Sequence, residues 1–238
     1  LPARRDKTGG RTFVGMPSGF RKRNAFGVTT YMSGWNPADG DPGYGALFQG
    51  ALGAAPVTFA GGTVSSVTGS QLTFSAAHGL NPDEAVGCNG EIRFVEGVAN
   101  DFTVQLNAPF ATTPGSGAAV TKTITYKLST GLPGVSVYDY WDPAEAVQRI
   151  VAGGGIDQMR VRLNGDFHQF EFTGEAVDVI DNLSFSAGLA GLTEFPPEPA
   201  LGAWDYALVP GNLGQAWMGL GPSQMFNVVE ADVLLDND

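Results

Sequence analysis

Apolar and polar residues alternate with a period of two at several places along this chain, and that period commits it to β-strands. Phe26, Val28, Thr30 and Met32 alternate with Gly27, Thr29, Tyr31 and Ser33. Residues 120–128 (VTKTITYKL) repeat the pattern, with Lys122 and Lys127 suited to an edge strand. Residues 135–141 (VSVYDYW) follow, and then 158–164 (QMRVRLN) and 166–173 (DFHQFEFT), joined at Asn164-Gly165 as a hairpin. That pairing places Met159, Val161 and Leu163 on one face, with Phe170 and Phe172 across the turn. A final alternating run, 223–235, reads as one long strand with Phe226 and Val228 on one face. The 34 glycines and 15 prolines show no collagen-like period, so they serve as turns between short strands. With 43% hydrophobic residues and 15 Phe in 238 residues, the chain has enough apolar surface for one domain or two small ones.

Two short helices are expected beside the strands. Asp41-Pro42 opens one that runs through Leu47, Phe48, Ala51 and Leu52 and stops at Gly53. Asp142-Pro143-Ala144-Glu145 opens the other, a capping-box-like start carried through Val147, Ile150 and Val151 to Gly153–Gly155. Residues 57–121 have a different texture, with short β-like runs broken by Gly, Asn and Pro and no helical period. Flanked by LGAAP and TPGSGAA, they read as a small inserted β module. The expected architecture is therefore mainly β: an antiparallel sandwich or barrel (26–56 and 122–238), one or two flanking helices, and the inserted module.

Charge is concentrated at one end. Arg4, Arg5, Lys7, Arg11, Arg21, Lys22 and Arg23 stand against Asp6 alone within residues 1–25, a net +6. The remainder carries −17 of the total −11. Such an arm is too glycine-diluted to fold alone. It either stays solvated or docks on an acidic neighbour, of which another copy of this chain is the nearest.

Few arrangements for chemistry exist. Cys88 has no second cysteine to pair with, and together with His78 and His168 it does not make a structural zinc site. Cys88 reads as a small buried residue, and both histidines as structural parts of strands or strand ends. Asp139, His168 and Glu171 would have to gather in a pocket for an enzyme. Trp35, Trp141, Trp204 and Trp217 are not interleaved with basic residues, against a nucleic-acid reader. No phosphate loop or dinucleotide fingerprint occurs, and no cofactor is expected. No apolar run reaches the roughly 20 residues of a membrane span, and no signal peptide is visible, so a product made in the cytoplasm without a membrane partner is expected.

Residues 135–141, the following DPAE start, MRVRLNGDFHQFEFTGEA (159–176) and GLTEFP (191–196) together resemble the tail tube proteins of long-tailed, siphovirus-like bacteriophages. AHGL (77–80) with Phe94, Phe102 and Phe110 is similar to small β modules of virion proteins. The resemblance covers about residues 26–56 and 122–236. It implies a non-enzymatic virion subunit that forms rings with copies of itself, stacks them into a tail tube, meets other tail proteins, and lets DNA pass without holding it. The subunit interface would then involve the seven basic arm residues together with Phe226 and Val228. An acidic lumen suits this, because Lys and Arg contacts to phosphate are what bind DNA. The rival is a carbohydrate-binding or adhesion module stacking sugars on Trp35, Trp204 or Trp217.

Overall fold

The structure, a computed structural model, describes residues 24–35, 40–141, 147–197, 207–208, 216–218, 224–226 and 230–237. Among them the chain is mainly β with one α-helix, as the alternation requires. From the N-terminal side come β1 (Asn24–Tyr31), the helix α1 (Gly45–Leu52) and β2 (Val57–Phe59). Six strands follow in close succession: β3 (Gly62–Thr68), β4 (Gln71–Phe74), β5 (Ala85–Cys88), β6 (Glu91–Asn100), β7 (Thr103–Leu106) and β8 (Ala119–Thr121). Next are β9 (Thr123–Thr125), β10 (Val135–Trp141), β11 (Val147–Asn164) and β12 (Gln169–Asp181). A 3-10 turn at Leu189–Gly191 precedes β13 (Ala216–Met218), β14 (Gln224–Phe226) and β15 (Glu230–Asp236).

Strands β3 to β8 close into an antiparallel barrel in the order β3-β4-β7-β6-β5-β8, with β8 returning to β3. Val64, Leu72, Val86, Cys88, Val95, Val104 and Leu106 fill it and are at most 1% exposed. Burial of each large aliphatic side chain there contributes about 1.5–3 kcal/mol. The tightest hairpin joins β5 to β6: Cys88 pairs with Glu91 around Asn89 (φ 53°) and Gly90 (φ 81°). Positive φ at both central residues is the type I′ geometry that Asn-Gly favours. Arg93, buried in the barrel wall, donates to Pro109 O (2.9 Å) and Ile92 O (2.8 Å), pairs with Glu91 and lies 5.3 Å from the Phe110 ring.

The chain enters and leaves the barrel side by side, because β2 pairs with β9 from Val57↔Thr125 to Phe59↔Thr123. Two threonines fasten this neck to the barrel: Thr123 Oγ1 donates to Ala85 O (2.6 Å), and Ala85 N–H donates to Thr125 Oγ1 (2.9 Å).

The second region is a five-stranded antiparallel sheet ordered β1-β12-β11-β10, with β15 also on β11. β11 is long enough to take two partners along one edge, β10 beside 147–154 and β15 beside 158–164. One face of the sheet packs on α1. Phe48 meets Phe170 and Phe172 edge-on at 5.0 and 5.5 Å, within a cluster that includes Ala51, Ile156 and Met159. The helix sits close because Gly50 has no Cβ; one there would lie 2.7 Å from Val135 Cγ1 and 3.0 Å from Ile156 Cδ1. Asn237 fixes the chain's last described residue to both layers, donating to Ala51 O (3.0 Å) and Ile156 O (3.1 Å).

Three sequence expectations are corrected. Residues 147–155 are not a helix but the first half of β11, paired with β10 and β12; 142–146, where the capping signal lies, are outside the described residues. β-Branched Val147, Ile150 and Val151 suit a strand with neighbours on both sides, and this pairing outweighs the local helix start. The first helix begins at Gly45 rather than at Asp41-Pro42, because a turn intervenes in which Gly45 N–H donates to Pro42 O (2.7 Å). It does end at Gly53, whose φ is 96°. The run 223–235 is not one strand: β14 pairs with β13, whereas β15 pairs with β11. The Met159↔Phe172 and Val161↔Phe170 pairs stand as the alternation requires, and the hairpin bends at Gly165 and Asp166.

Candidate functional site

The main sheet is unfinished where the β11–β12 hairpin outruns its neighbour. β1 covers β12 only from Gln169 to Ala176, so beyond Ala176 its outer edge has no adjoining strand among the described residues. The outer edges of β10 and β15 are likewise uncovered by any described strand. Registers across β10, β11 and β12 place Val137, Val151 and Val179 in one row on the face turned away from α1. Val177 (67% exposed) flanks that row on β12, and the Trp141↔Val147 pair lies beyond it. This end therefore joins an open backbone edge to exposed apolar side chains, the combination that invites another strand.

The same face carries ordered charge. Arg149 stands opposite Asp139 and Asp181 in the strand registers. Glu171 receives Arg160 at 3.7 Å and Arg162 at 3.1 Å, and Asp232 lies 3.8 Å from Arg162. Arg160 and Arg162 thus each have a carboxylate beside them, whereas Arg149 Cζ lies 6.0 Å from the Trp141 ring centre. At the hairpin's far end, Asp181 accepts from Ser184 Oγ (2.6 Å), Ser184 N–H (2.8 Å) and Leu183 N–H (3.0 Å). These bonds, the Ser184 hydroxyl's foremost, hold its carboxyl below the usual range.

The residues an enzyme reading would need are separated. His168 is buried on the α1 side, its carbonyl accepting from Met32 N–H (2.9 Å), whereas Glu171 and Asp139 lie on the opposite face. Asp139 aligns through Arg149 with Asp181, ten residues along β12 from Glu171, which is about 33 Å of strand. His78 is a structural tie: Nδ1 accepts from Leu80 N–H (2.9 Å), which leaves Nε2 to donate to Asn100 O (3.0 Å). Cys88 is fully buried, and burial, with Glu91 second, pushes its thiol pKa up. Among the described residues no group of three His, Cys, Asp or Glu could hold a metal, and no helix is long and apolar enough to cross a membrane.

A cavity of about 460 Å³ lies at the seam between the two regions. Met32, Tyr44, Phe48 and Phe170 line it from the sheet side, Gly87, Gly90 and Ile92 from the barrel, and Ile124 and Tyr126 from the neck. Nothing in the sequence pattern marked it, because its walls come from segments far apart in the chain. Trp35 is also in the lining; its Nε1 donates to Gly40 O (2.8 Å), and Lys122 Nζ sits 5.5 Å from its ring centre.

Of the sequence-derived interface residues, Arg4, Arg5, Lys7, Arg11, Arg21, Lys22, Arg23 and Val228 lie outside the described residues, as does Trp204. Phe226 closes β14 opposite Ala216. The exposed valines of β12 were missed because their alternation was traced only as far as Thr173; continuing it through VDVID would have found them. Comparison with protein-family models, with curated proteins and with solved structures finds no match to this chain.

Proposed function

We propose that this protein is a structural virion component, a tail tube subunit whose copies join into rings and stack into a conduit for DNA. The observation that carries the reading is the far end of the main sheet: an extended hairpin with a backbone edge that no strand among the described residues covers, and exposed valines beside it. A neighbouring subunit's strand laid along that edge satisfies its backbone groups and buries Val177 and Val179. The charge on the open face supports the same role. Arg160 and Arg162 are each paired with Glu171, so they are not offered freely to phosphate, and a passing polyanion is held less. The barrel, joined through the two-stranded neck, can project from a ring without interrupting the sheet that builds it.

Electron microscopy of concentrated purified protein tests this. Rings or tubes of regular diameter are expected. A protein that stays monomeric over a wide concentration range, in its full-length form, overturns the reading.

A further inference from the structure

The edge of β12 beyond Ala176 and the register of β1 point to one segment of chain. β1 begins at Asn24, paired with Ala176, and its register with β12 runs without a shift to Tyr31↔Gln169. Carried back one residue at a time, that register sets Arg23 opposite Val177, Lys22 opposite Asp178, Arg21 opposite Val179, Phe20 opposite Ile180 and Gly19 opposite Asp181. Residues 19–23 lie outside the described residues, but they are the ones that a straight continuation of β1 brings to this edge.

The residue types suit both faces of the sheet. Ile150 and Ile180 stand in one row across β11 and β12, at most 2% exposed, with Tyr138 at the β10 end. Phe20 would extend that row on the β12 side, and its place in the alternation is that of Phe26, which packs in the α1 cluster. Lys22 falls opposite Asp178, a carboxylate held beside the edge backbone, where its Oδ1 accepts from Val179 N–H (2.8 Å). On the other face Arg21 and Arg23 fall along Val179 and Val177, with Asp181 and Glu175 at the diagonal positions. A slip of one residue would turn Phe20 out to the open face, so the register is specified. We propose that residues 19–23 continue β1 along β12 in the free subunit and cover the edge that a neighbour's strand takes in the tube. The arm then guards the edge, and its pairing raises the concentration at which tubes appear. That consequence rests on the tube reading; the pairing does not.

The test uses the full chain with two cysteine pairs. Arg21→Cys with Val179→Cys sets the Cα atoms about 4.5–5.5 Å apart, within disulfide reach. Lys22→Cys with Val179→Cys puts the two thiols on opposite faces. Cys88 is fully buried and does not compete. Oxidised by copper phenanthroline in dilute solution, the first pair should close within one chain and the second should stay open. Equal closure of both pairs, or a crosslink found only between chains, overturns the proposal. The oxidised first variant should form no tubes and regain them on reduction, whereas tubes from the oxidised form at the parent's concentration would overturn the guarding role. Lys22→Glu sets two carboxylates opposite each other and should lower the concentration at which tubes appear by up to about fivefold, and adding Asp178→Lys should restore it. A raised threshold in Lys22→Glu would instead make the arm a fastener between copies and overturn the proposal. A parent that forms no tubes sinks the tube reading and leaves closure of the first pair to decide the pairing.

Discussion

The barrel and the main sheet are both antiparallel, yet they solve the problem of strand edges in opposite ways. The barrel uses strands of three to ten residues and returns β8 to β3, so every strand has two neighbours and the core is filled from within. The sheet uses an 18-residue strand and a 13-residue one, packs one face on an eight-residue helix, and has several edges that no strand among the described residues covers. Closure removes edges, and with them the capacity to add strands. The barrel between β2 and β9 is therefore the region closed on itself, whereas the main sheet keeps edges that no described strand covers.

Core truncations are the largest perturbation of that contrast. Leu72→Ala empties the barrel centre and should cost about 2–5 kcal/mol, and Phe172→Ala in the sheet core about 3–5 kcal/mol. If the barrel is energetically its own unit, Leu72→Ala should lower hydrogen-exchange protection within 62–121 and leave that of 147–181 unchanged. Phe172→Ala should do the reverse. Loss of protection throughout the chain from either substitution would show one cooperative unit, with the seam coupling the two cores.

A smaller effect is expected where the sheet's two long strands come closest. A Cβ on Gly174 would overlap the carbonyl oxygen of Gly155, opposite a bulge between Ile156 and Gln158. Gly174→Ala should cost about 1–3 kcal/mol, read from chemical denaturation, because backbone has to shift. Gly97 in the barrel has nothing within 4 Å of an added Cβ, so Gly97→Ala should be much milder. Equal costs would mean that β11 and β12 slide more freely than their register implies.

The open edge separates stability from assembly. Val177→Lys with Val179→Lys places charge on exposed positions, so the subunit's stability should move by no more than about 0.5 kcal/mol per site. Tube formation should nonetheless be lost, since edge lysines oppose strand addition. Tubes of unchanged yield from this variant would move the interface to β10, β15 or the basic arm.

How far the sequence revealed these regions follows from the range of the interactions involved. Alternation is local, so β1, the Met159/Phe172 and Val161/Phe170 pairs and the β nature of 57–121 could be read from it. A helix expected to run through Val147, Ile150 and Val151 is strand instead, because pairing to β10 and β12, whose residues lie elsewhere in the chain, outweighs the local capping signal. The I′ turn at Asn89-Gly90 carries the same dipeptide as Asn164-Gly165, but β5 before it is only four residues, all buried, so alternation does not announce that strand. The cavity and Tyr126 were illegible for the same reason: a seam exists only once the insertion is folded and laid against the sheet.

The finest distinction lies at the tip of the open end, where Asp181 closes the hairpin onto Leu183 and Ser184. Its carboxyl is held below the usual aspartate range, first by the Ser184 hydroxyl and then by the Ser184 backbone N–H. Because the folded-state pKa lies below that of the unfolded chain, the bonding favours the fold above the unfolded value, and this is lost as pH falls through the folded one. The affected window thus lies below about pH 4, where the turn after β12 should loosen. Ser184→Ala removes the hydroxyl but keeps the backbone donor, so the Asp181 titration followed by carbon-detected NMR should move only part of the way back toward the usual aspartate range. Barrel resonances should not respond, since Asp181 contacts no strand of it. An Asp181 titration unchanged by Ser184→Ala would mean that the backbone N–H groups alone order the tip, and that the open end is held by main-chain geometry rather than by this side chain.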